Sequence, residues 1–337
     1  MPADQTALNL LLTDTDWLVH RYDDRQDAFQ FRQVPWPRRA EIPFLSNENL
    51  AQVGEARSLA ADDIGLSQIS QSPLHFIFHS AFCASTLLTK VLSDGGLSTL
   101  SEPQVLNDLI GALRRGQSGP DVARRLDQSL ALLARPMAGT DAVVVKPSNL
   151  VNHLARAMLT LRPKSRAILL YAPLPIFLTS VARKGLWCRL WVRELLEYQI
   201  DLGMMHFGFT AKDYLRMSDL QVAALGWLVQ HQSFQSLGRG PMAEQVLMID
   251  SERLTQHPEQ VLPKLCQHLA PQMDQSRIEA ILKSSALTQH SKFGYAFTPQ
   301  ERLQEQQQAQ KAHADEIDKV TLWAQELARS AGVTLPS

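Results

Sequence analysis

A run of small and hydroxyl-bearing residues follows the first strongly apolar segment of the chain. Residues 79–86, HSAFCAST, come directly after the apolar residues 74–78 and open a stretch with helical character. The first N–H groups of a helix carry partial positive charge, and small side chains let the backbone approach an anion closely. The pattern therefore predicts a phosphate-binding loop. The residues expected to contact the phosphate are Ser80, Cys83, Ala84, Ser85 and Thr86.

This loop departs from the nucleotide-binding pattern GxxxxGK[ST]. His79, Ala84 and Ser85 stand where that pattern has its two glycines and its lysine, whereas Thr86 matches it. An ordinary strand-to-helix turn capped by a hydroxyl explains the same residues, so both interpretations stay open. We expect His79 to orient the loop. Cys83 has no histidine and aspartate at a spacing that indicates a nucleophile.

Two charged residues, Glu102 and Lys146, stand at the ends of predicted strands. Glu102 comes shortly after residues 97–100, and Lys146 directly follows residues 142–145. Parallel α/β sheets bind ligands at the carboxyl ends of their strands, which favours a role for both charges in a site. The alternatives are a carboxylate that stabilises the next helix N-terminus and a lysine that lies in solvent.

Five apolar runs predict the strands that position these residues. Apolar and polar residues alternate little within these runs, as in strands buried on both faces of a parallel sheet. The runs are residues 74–78, 97–100, 142–145, 167–171 and 245–249. Helical periodicity marks the segments between them, such as residues 150–161 after a cap at Ser148 or Asn149, and residues 218–237 before Gly238. We predict an α/β fold of three α/β/α layers with a central parallel sheet.

Changes of pattern along the 337 residues divide the chain into three parts. Residues 1–70 combine strand-like pieces around a turn with several prolines, and we expect them to form an N-terminal cap. Residues 71–298 carry the alternating strands and helices of the α/β domain. Residues 299–337 are polar and rich in Gln and Glu, with strong helix propensity, which predicts a C-terminal helix.

The bulk composition argues against several classes of protein. The net charge of −1 gives no overall attraction to nucleic acid or to an anionic membrane, and no apolar run is long enough to span a bilayer. The three cysteines form no CxxC pair, so we expect neither a disulfide framework nor a metal site. The acidic first residues do not resemble a signal peptide, and we expect a cytoplasmic protein. The oligomeric state stays open.

The order and spacing of these segments resemble the PAPS-dependent sulfotransferase family, whose fold is that of the P-loop-containing nucleoside triphosphate hydrolases. PAPS is 3′-phosphoadenosine 5′-phosphosulfate. The resemblance covers about residues 74–295. The matching segments are the loop after the first strand, the Glu-Pro pair at 102–103, the lysine segment 145–149, the strand end 171–180 and the exit of the last strand at 248–254.

The resemblance implies a transferase that moves a sulfuryl group from PAPS to a hydroxyl or an amine of a small molecule, without a metal. Glu102 would be the general base, and Lys146 would neutralise the charge that develops on the transferring group. Ser85 and Thr86 would bind the 5′-phosphate of the nucleotide. Thr179, or Ser180 with a shift of one residue, would bind its 3′-phosphate.

Two positions depart from the family pattern. Phe82 stands where the family has a lysine or arginine that contacts the sulfuryl group, and Tyr171 stands where it has an arginine for the 3′-phosphate. These departures favour a second hypothesis, a non-catalytic nucleotide-binding protein of the same fold. A third hypothesis is a nucleotide-dependent kinase. The absence of the P-loop lysine opposes it, although Asp250 follows the last predicted strand.

Basic residues elsewhere are candidates to replace the missing charges. Arg183 and Lys184 follow the helix that is expected to start beside the nucleotide, and both are assigned to the cofactor site. Arg189 and Arg193 come next and share one helix face at a spacing of four residues. Lys292, in a segment where many members of the family place a nucleotide-facing loop, is a further candidate.

Overall fold

The chain forms two β-sheets within residues 5–137, 139–287 and 299–335, which are the residues described by the computed structural model. The smaller sheet is antiparallel and consists of β1 (Trp17–Asp23), β2 (Ala28–Gln33) and β3 (Ala56–Ala60). The larger sheet is parallel. Its strands are β4 (Leu74–His79), β5 (Ser98–Ser101), β6 (Val143–Lys146), β7 (Ala167–Tyr171) and β8 (Val246–Asp250).

The strand order of the larger sheet is β5-β6-β4-β7-β8, which places β4 at the centre. All residues of β4, β6 and β7 are buried, as expected for strands covered on both faces. The register pairs Ser101 of β5 with Lys146 of β6 and pairs His79 of β4 with Leu170 of β7. The carboxyl ends of these strands therefore form one edge of the sheet.

Alternate residues of the central strands belong to two separate hydrophobic cores. Ile77 and Val144 pack into one core, whereas Phe76, Phe78 and Val143 pack into the other. Because successive side chains of a strand point to opposite faces, the two cores lie on the two faces of the sheet. The predicted α/β class, with three layers around a central parallel sheet, is confirmed.

Helices form the two outer layers of the molecule and connect its strands. They are α1 (Gln5–Thr13), α2 (Trp36–Glu41), α3 (Asn47–Leu50), α4 (Ser85–Asp94), α5 (Gln104–Arg114), α6 (Gly119–Leu133), α7 (Ala155–Leu161), α8 (Leu174–Arg183), α9 (Gly185–Asp201), α10 (Ala211–Arg216), α11 (Asp219–Arg239), α12 (Ser251–Gln256), α13 (Pro258–Leu269), α14 (Gln275–Leu282) and α15 (Pro299–Ser330), which is kinked at His313. Of the helices in the described ranges, none combines the length and apolar character needed to cross a membrane.

Two helix boundaries differ from the sequence predictions. The segment after Ser148 begins as a 3₁₀-helix, Asn149–Leu154, and becomes the α-helix α7 only at Ala155, while the Ser148 hydroxyl donates to Oδ1 of Asn107 (2.6 Å). Helix α11 continues through Gly238 to Arg239. Glycine in a helix costs only about 1 kcal/mol, which the packing of the fully buried face of α11 outweighs.

Buried arginines attach the N-terminal sheet to the α/β layers. Arg135, which follows α6, donates to the carbonyl oxygens of Leu11 (2.7 Å) and Asp14 (3.1 Å). Arg125 of α6 forms an ion pair with Asp62 (2.8 Å), and side chains of both parts share one hydrophobic core. The domain boundary at residue 70 stays a prediction. The helix predicted at the C-terminus is α15, which packs against α8 and α11.

The three cysteines lie in the interior. Cys83, Cys188 and Cys266 have no exposed surface. Burial raises the pKa of each thiol to about 11, because a thiolate loses its hydration there. The thiols are therefore protonated at neutral pH.

Candidate functional site

The loop between β4 and α4 has an unusual backbone. Ala81, Phe82 and Ala84 adopt positive φ angles of 68°, 51° and 59°, although none of them is glycine. Each such residue costs roughly 1–2 kcal/mol of backbone strain. Left-handed residues that alternate with right-handed ones curl consecutive N–H groups around a concavity that accepts anions. Phosphate binding by this loop stays a prediction, which its positive φ angles favour over an ordinary strand-to-helix turn.

The hydroxyl-bearing residues of the loop divide into two groups. Ser85 and Thr86 form the first turn of α4, with 8% and 7% of their surfaces exposed. Ser80 instead joins the loop to the end of β7, since its hydroxyl accepts from the N–H of Ala172 (3.1 Å) and donates to the carbonyl of Ala81 (3.3 Å). Ser85 and Thr86 are thus better placed than Ser80 to bind an anion at the helix N-terminus.

Glu102 and Lys146 form an ion pair at the carboxyl edge of the sheet. Nζ of Lys146 lies 2.6 Å from Oε1 of Glu102, and the Glu102 N–H donates to the Lys146 carbonyl (2.6 Å). Lys146 has no exposed surface, whereas a quarter of the Glu102 side chain is exposed (25%). The ring of Phe44 lies 4.9 Å from the ammonium. A carboxylate at the surface is thus held by a buried cation.

His79 is the third polar residue of this cluster. Its Nδ1 accepts from the N–H of Ala81 (3.1 Å), so the neutral imidazole carries its proton on Nε2. Nε2 lies 4.0 Å from Oε1 of Glu102. The imidazole therefore turns a proton, and not a lone pair, toward the carboxylate. This arrangement suits the predicted role of His79 in orienting the loop, and it makes Glu102 the better proton acceptor of the two.

An aromatic cluster surrounds the loop residue that stands at the basic position of the family. The half-buried ring of Phe82 contacts Phe177 of α8 and Trp191 of α9, with ring centres 5.8 and 5.5 Å apart. Nζ of Lys184 lies 5.5 Å from the centre of the Phe82 ring, within the range of a cation–π contact. A positive charge therefore reaches the loop from the end of α8, and Arg183 is exposed beside it.

The next two arginines along the chain contact α11. Arg189 and Arg193 share one face of α9, as predicted, and both approach Asp219 at the start of α11, with N–O distances of 3.6 and 2.7 Å. Their charges are already matched by that carboxylate. Arg189 and Arg193 therefore join α9 to α11, whereas Lys184 contacts Phe82 of the loop.

The positions assigned to the 3′-phosphate have mainly internal contacts. Tyr171 is buried against His231, with ring centres 5.4 Å apart, and burial together with the nearby Asp250 raises its pKa to about 12. The Thr179 hydroxyl donates to the carbonyl of Pro175 (2.8 Å), one turn earlier in α8. Ser180 is half-buried. Of the two hydroxyl groups, that of Thr179 is buried and already bonded within α8, so Ser180 is the better placed to meet an anion, and no cation stands at the position of Tyr171.

Two further sequence candidates can be placed. Asp250, on which the kinase hypothesis depends, caps α12, since its side chain accepts from the N–H of Glu252 (2.8 Å). Lys292 lies outside the described residues.

Comparisons with known proteins identify structures with similar folds. No family model matches the sequence, and no curated protein matches it. A sulfotransferase domain from the curacin biosynthetic pathway matches with 16% identity and a TM-score of 0.41, over 79% of this chain and 100% of that domain. A sulfotransferase from Mycobacterium avium matches with 9% identity and a TM-score of 0.43, over 75% of this chain and 78% of that one.

The sulfotransferase domain of an olefin synthase from Synechococcus PCC 7002 matches with 16% identity and a TM-score of 0.37, over 79% of this chain and 98% of that domain. All three are described as sulfotransferases, which is the family that this sequence resembles in the order of its motifs. At such identities and TM-scores, these similarities bear on neither the cofactor nor the substrate. The chemistry has to be inferred from the residues of the site.

Proposed function

We propose that the protein is a sulfotransferase that moves a sulfuryl group from PAPS to a hydroxyl or an amine of a small molecule. The observation that supports this most is the Glu102–Lys146 ion pair beside a strained, anion-binding loop. A carboxylate, a buried cation and a loop with positive φ angles lie at one edge of the sheet, and we assign to them the parts of proton acceptor, counter-charge and phosphate-binding loop. These are the groups that transfer of an anionic group to a hydroxyl requires.

The residues of the loop fit the phosphosulfate end of PAPS. Ser85, Thr86 and the N–H groups at the start of α4 would hold the phosphate, and Lys184 would supply the cation that Phe82 does not. The other end of PAPS fits less well, because Tyr171 is neutral and buried. Arg183 is the cation assigned to the 3′-phosphate in this proposal.

Each residue has a defined part in the reaction. When bound, PAPS would supply the sulfuryl group, with adenosine 3′,5′-bisphosphate as the leaving group. Glu102 accepts the proton of the acceptor hydroxyl or amine as the new bond to sulfur forms. Lys146 holds the carboxylate in place, and His79 holds the loop through its bond to Ala81.

The first test is thermal unfolding with adenosine 3′,5′-bisphosphate, with ATP, GTP and sulfate as controls. A ligand present at 100 times its dissociation constant stabilises the folded state by about 2.7 kcal/mol, which raises the unfolding temperature measurably. We expect a selective rise with the bisphosphate. Equal shifts with all four ligands, or a rise only with ATP and Mg²⁺, would exclude PAPS as the cofactor.

The second test measures transfer of radiolabelled sulfuryl from PAPS to a panel of hydroxyl and amine acceptors. We expect turnover by the wild type and a loss of at least about 100-fold in Glu102→Gln, the lower end of the effect of a general base. Circular dichroism establishes that the variant is folded under the assay conditions. Full turnover by folded Glu102→Gln would remove Glu102 from the role of base.

A second candidate function is that of a non-catalytic nucleotide-binding protein. The observation that favours it is the packing of Phe82 and Tyr171 at the two positions where the family has basic residues. Selective binding of the bisphosphate without turnover of any acceptor would support this candidate over the enzyme.

A further inference from the structure

A small cavity lies behind the candidate site, between the segment after β6 and the helices α9 and α11. Its volume is about 10 Å³, which is close to the minimum needed for one water molecule. Four amide side chains line it together with apolar groups such as Leu195. The amides belong to Asn149, Asn152, Gln199 and Gln230.

Three amide atoms of this lining have no hydrogen-bond partner among the described residues. They are Nδ2 of Asn149, Oδ1 of Asn152 and Oε1 of Gln199. The three residues are at least nine-tenths buried, with 8%, 2% and 3% of their surfaces exposed. A buried polar atom without a hydrogen-bond partner is strongly disfavoured. Because three such atoms belong to residues that line one cavity, they point to a bound molecule that serves as their partner.

The orientation of two of these amides follows from their other contacts. Nδ2 of Asn152 donates to the carbonyl of His79 (3.0 Å) and to Oε1 of Gln230 (2.9 Å). Nε2 of Gln199 donates to the carbonyl of Gly226 (3.1 Å). Because both NH₂ groups face acceptors, Oδ1 of Asn152 and Oε1 of Gln199 are correctly assigned as the oxygens without partners.

We infer that the cavity binds one water molecule. The water donates its two hydrogens to the oxygens of Asn152 and Gln199 and accepts a hydrogen from the NH₂ group of Asn149. Three hydrogen bonds are typical of a buried water. Chloride has no hydrogen for the two oxygens, so it does not match this set of atoms.

This water joins the parts of the protein that support the phosphate loop. Asn149 follows shortly after Lys146, Asn152 holds the carbonyl of His79, and Gln199 belongs to α9. Helix α9 also carries Trp191, which packs on Phe82 of the loop. The water therefore connects the strand ends of β4 and β6 to α9, and it fixes the loop whether or not the protein transfers sulfuryl groups.

The first test is a crystal structure of the wild type, of Gln199→Met and of Leu195→Met at a resolution that reveals ordered water. Methionine matches glutamine in length but has no amide. Leu195→Met changes the same helix and the same cavity and leaves every amide in place. We expect water density within hydrogen-bond distance of all three atoms in the wild type and in Leu195→Met, and no water there in Gln199→Met. An empty cavity in the wild type, beside other buried waters that are visible, would overturn the inference.

Amide hydrogen exchange in the loop tests the supporting role. We expect residues 80–85 to exchange about 2- to 10-fold faster in Gln199→Met than in Leu195→Met, the factor that corresponds to the loss of one ordinary hydrogen bond. Equal exchange in the two variants would show that the water does not support the loop. Neither measurement depends on PAPS, so its outcome is separate from that of the proposed function.

Discussion

The ammonium of Lys146 and the carboxylate of Glu102 are 2.6 Å apart but differ completely in their access to water. Lys146 is enclosed by protein, whereas Glu102 lies partly at the surface. A charge that loses its partner can recover hydration only if water can reach it. The loss of the Glu102 charge and the loss of the Lys146 charge therefore lower stability by different amounts.

We predict that Glu102→Gln lowers the free energy of unfolding more than Lys146→Met does. Removal of the carboxylate leaves the buried charge of Lys146 without this counter-ion, which costs about 3–5 kcal/mol. Removal of the lysine leaves a carboxylate that water can reach, at a cost of about 1–3 kcal/mol. Urea denaturation of both variants measures the difference. The reverse order, or equal losses, would contradict the burial of Lys146.

Lys184 is predicted to supply the positive charge at the loop. We expect Lys184→Met to weaken the binding of adenosine 3′,5′-bisphosphate by about 10-fold or more, since a hydrogen bond to a charged group is worth about 1.5–3 kcal/mol. Isothermal titration calorimetry measures the change. Arg193→Met is the matched control, because this residue lies farther along α9 and pairs with Asp219. Equal losses in both variants would point to a general effect of charge.

Substitutions of Ala84 test whether the backbone of the loop is strained. We expect Ala84→Gly to raise the free energy of unfolding by about 0.5 kcal/mol, because the relief of strain exceeds the entropy cost of glycine. Ala84→Val is expected to lower it by about 2 kcal/mol and to abolish anion binding, since a β-branched residue rarely adopts positive φ.

Ala157→Val, at a half-buried position of the ordinary helix α7, is the control for Ala84→Val. It should cost less than about 1 kcal/mol, the usual penalty of a β-branched residue in a helix. A similar loss at both positions would argue that the backbone of Ala84 is not special.

The pKa values of three buried histidines lead to a prediction of how the stability of the protein depends on pH. Burial lowers the pKa of His20, His75 and His231 from 6.5 to about 4 in the folded protein. Between these two values the unfolded chain binds more protons than the folded one. The free energy of unfolding therefore decreases as the pH falls from about 6.5 toward 4, and each histidine accounts for about 3 kcal/mol of the decrease.

His231→Phe should remove one of these three contributions, because phenylalanine keeps the stacking on Trp227 and cannot take up a proton. Urea denaturation at several pH values measures the free energy of unfolding as a function of pH. Between pH 6.5 and about 4, its slope should be smaller in His231→Phe than in the wild type by about 1.4 kcal/mol per pH unit. An unaltered slope in His231→Phe would mean that His231 titrates normally in the folded state.

The sequence was sufficient to predict the strands of the larger sheet but not their order. The apolar runs reveal β4, β6 and β7, because burial on both faces demands a continuous apolar segment. The expectation that all five strands are buried on both faces was wrong for the two edge strands, since β5 is buried only at alternate residues and β8 is half-buried. Strand β3 was not predicted, since Ala56–Ala60 is mostly exposed and carries little periodicity. The contact between Glu102 and Lys146 follows from the pairing of β5 with β6, which one sequence does not specify.

Other features of the site depend on contacts between distant residues. Phe82 was noticed as a departure from the family, but the approach of Lys184 to its ring depends on the packing of α8 and α9 over the loop. The positive φ of Ala81 and Ala84 was unexpected, because glycine is the usual residue for such angles. Tertiary contacts override that local preference.

The buried thiols have a practical consequence for following the opening of the molecule. Cys83, Cys188 and Cys266 lie in the loop after β4, in α9 and in α13, and all are inaccessible to a reagent in the folded state. A thiol-reactive dye can modify each of them only after the surrounding segment has opened. Mass spectrometry of the labelled peptides would therefore time the opening of three separate regions in a single experiment on the unmodified protein.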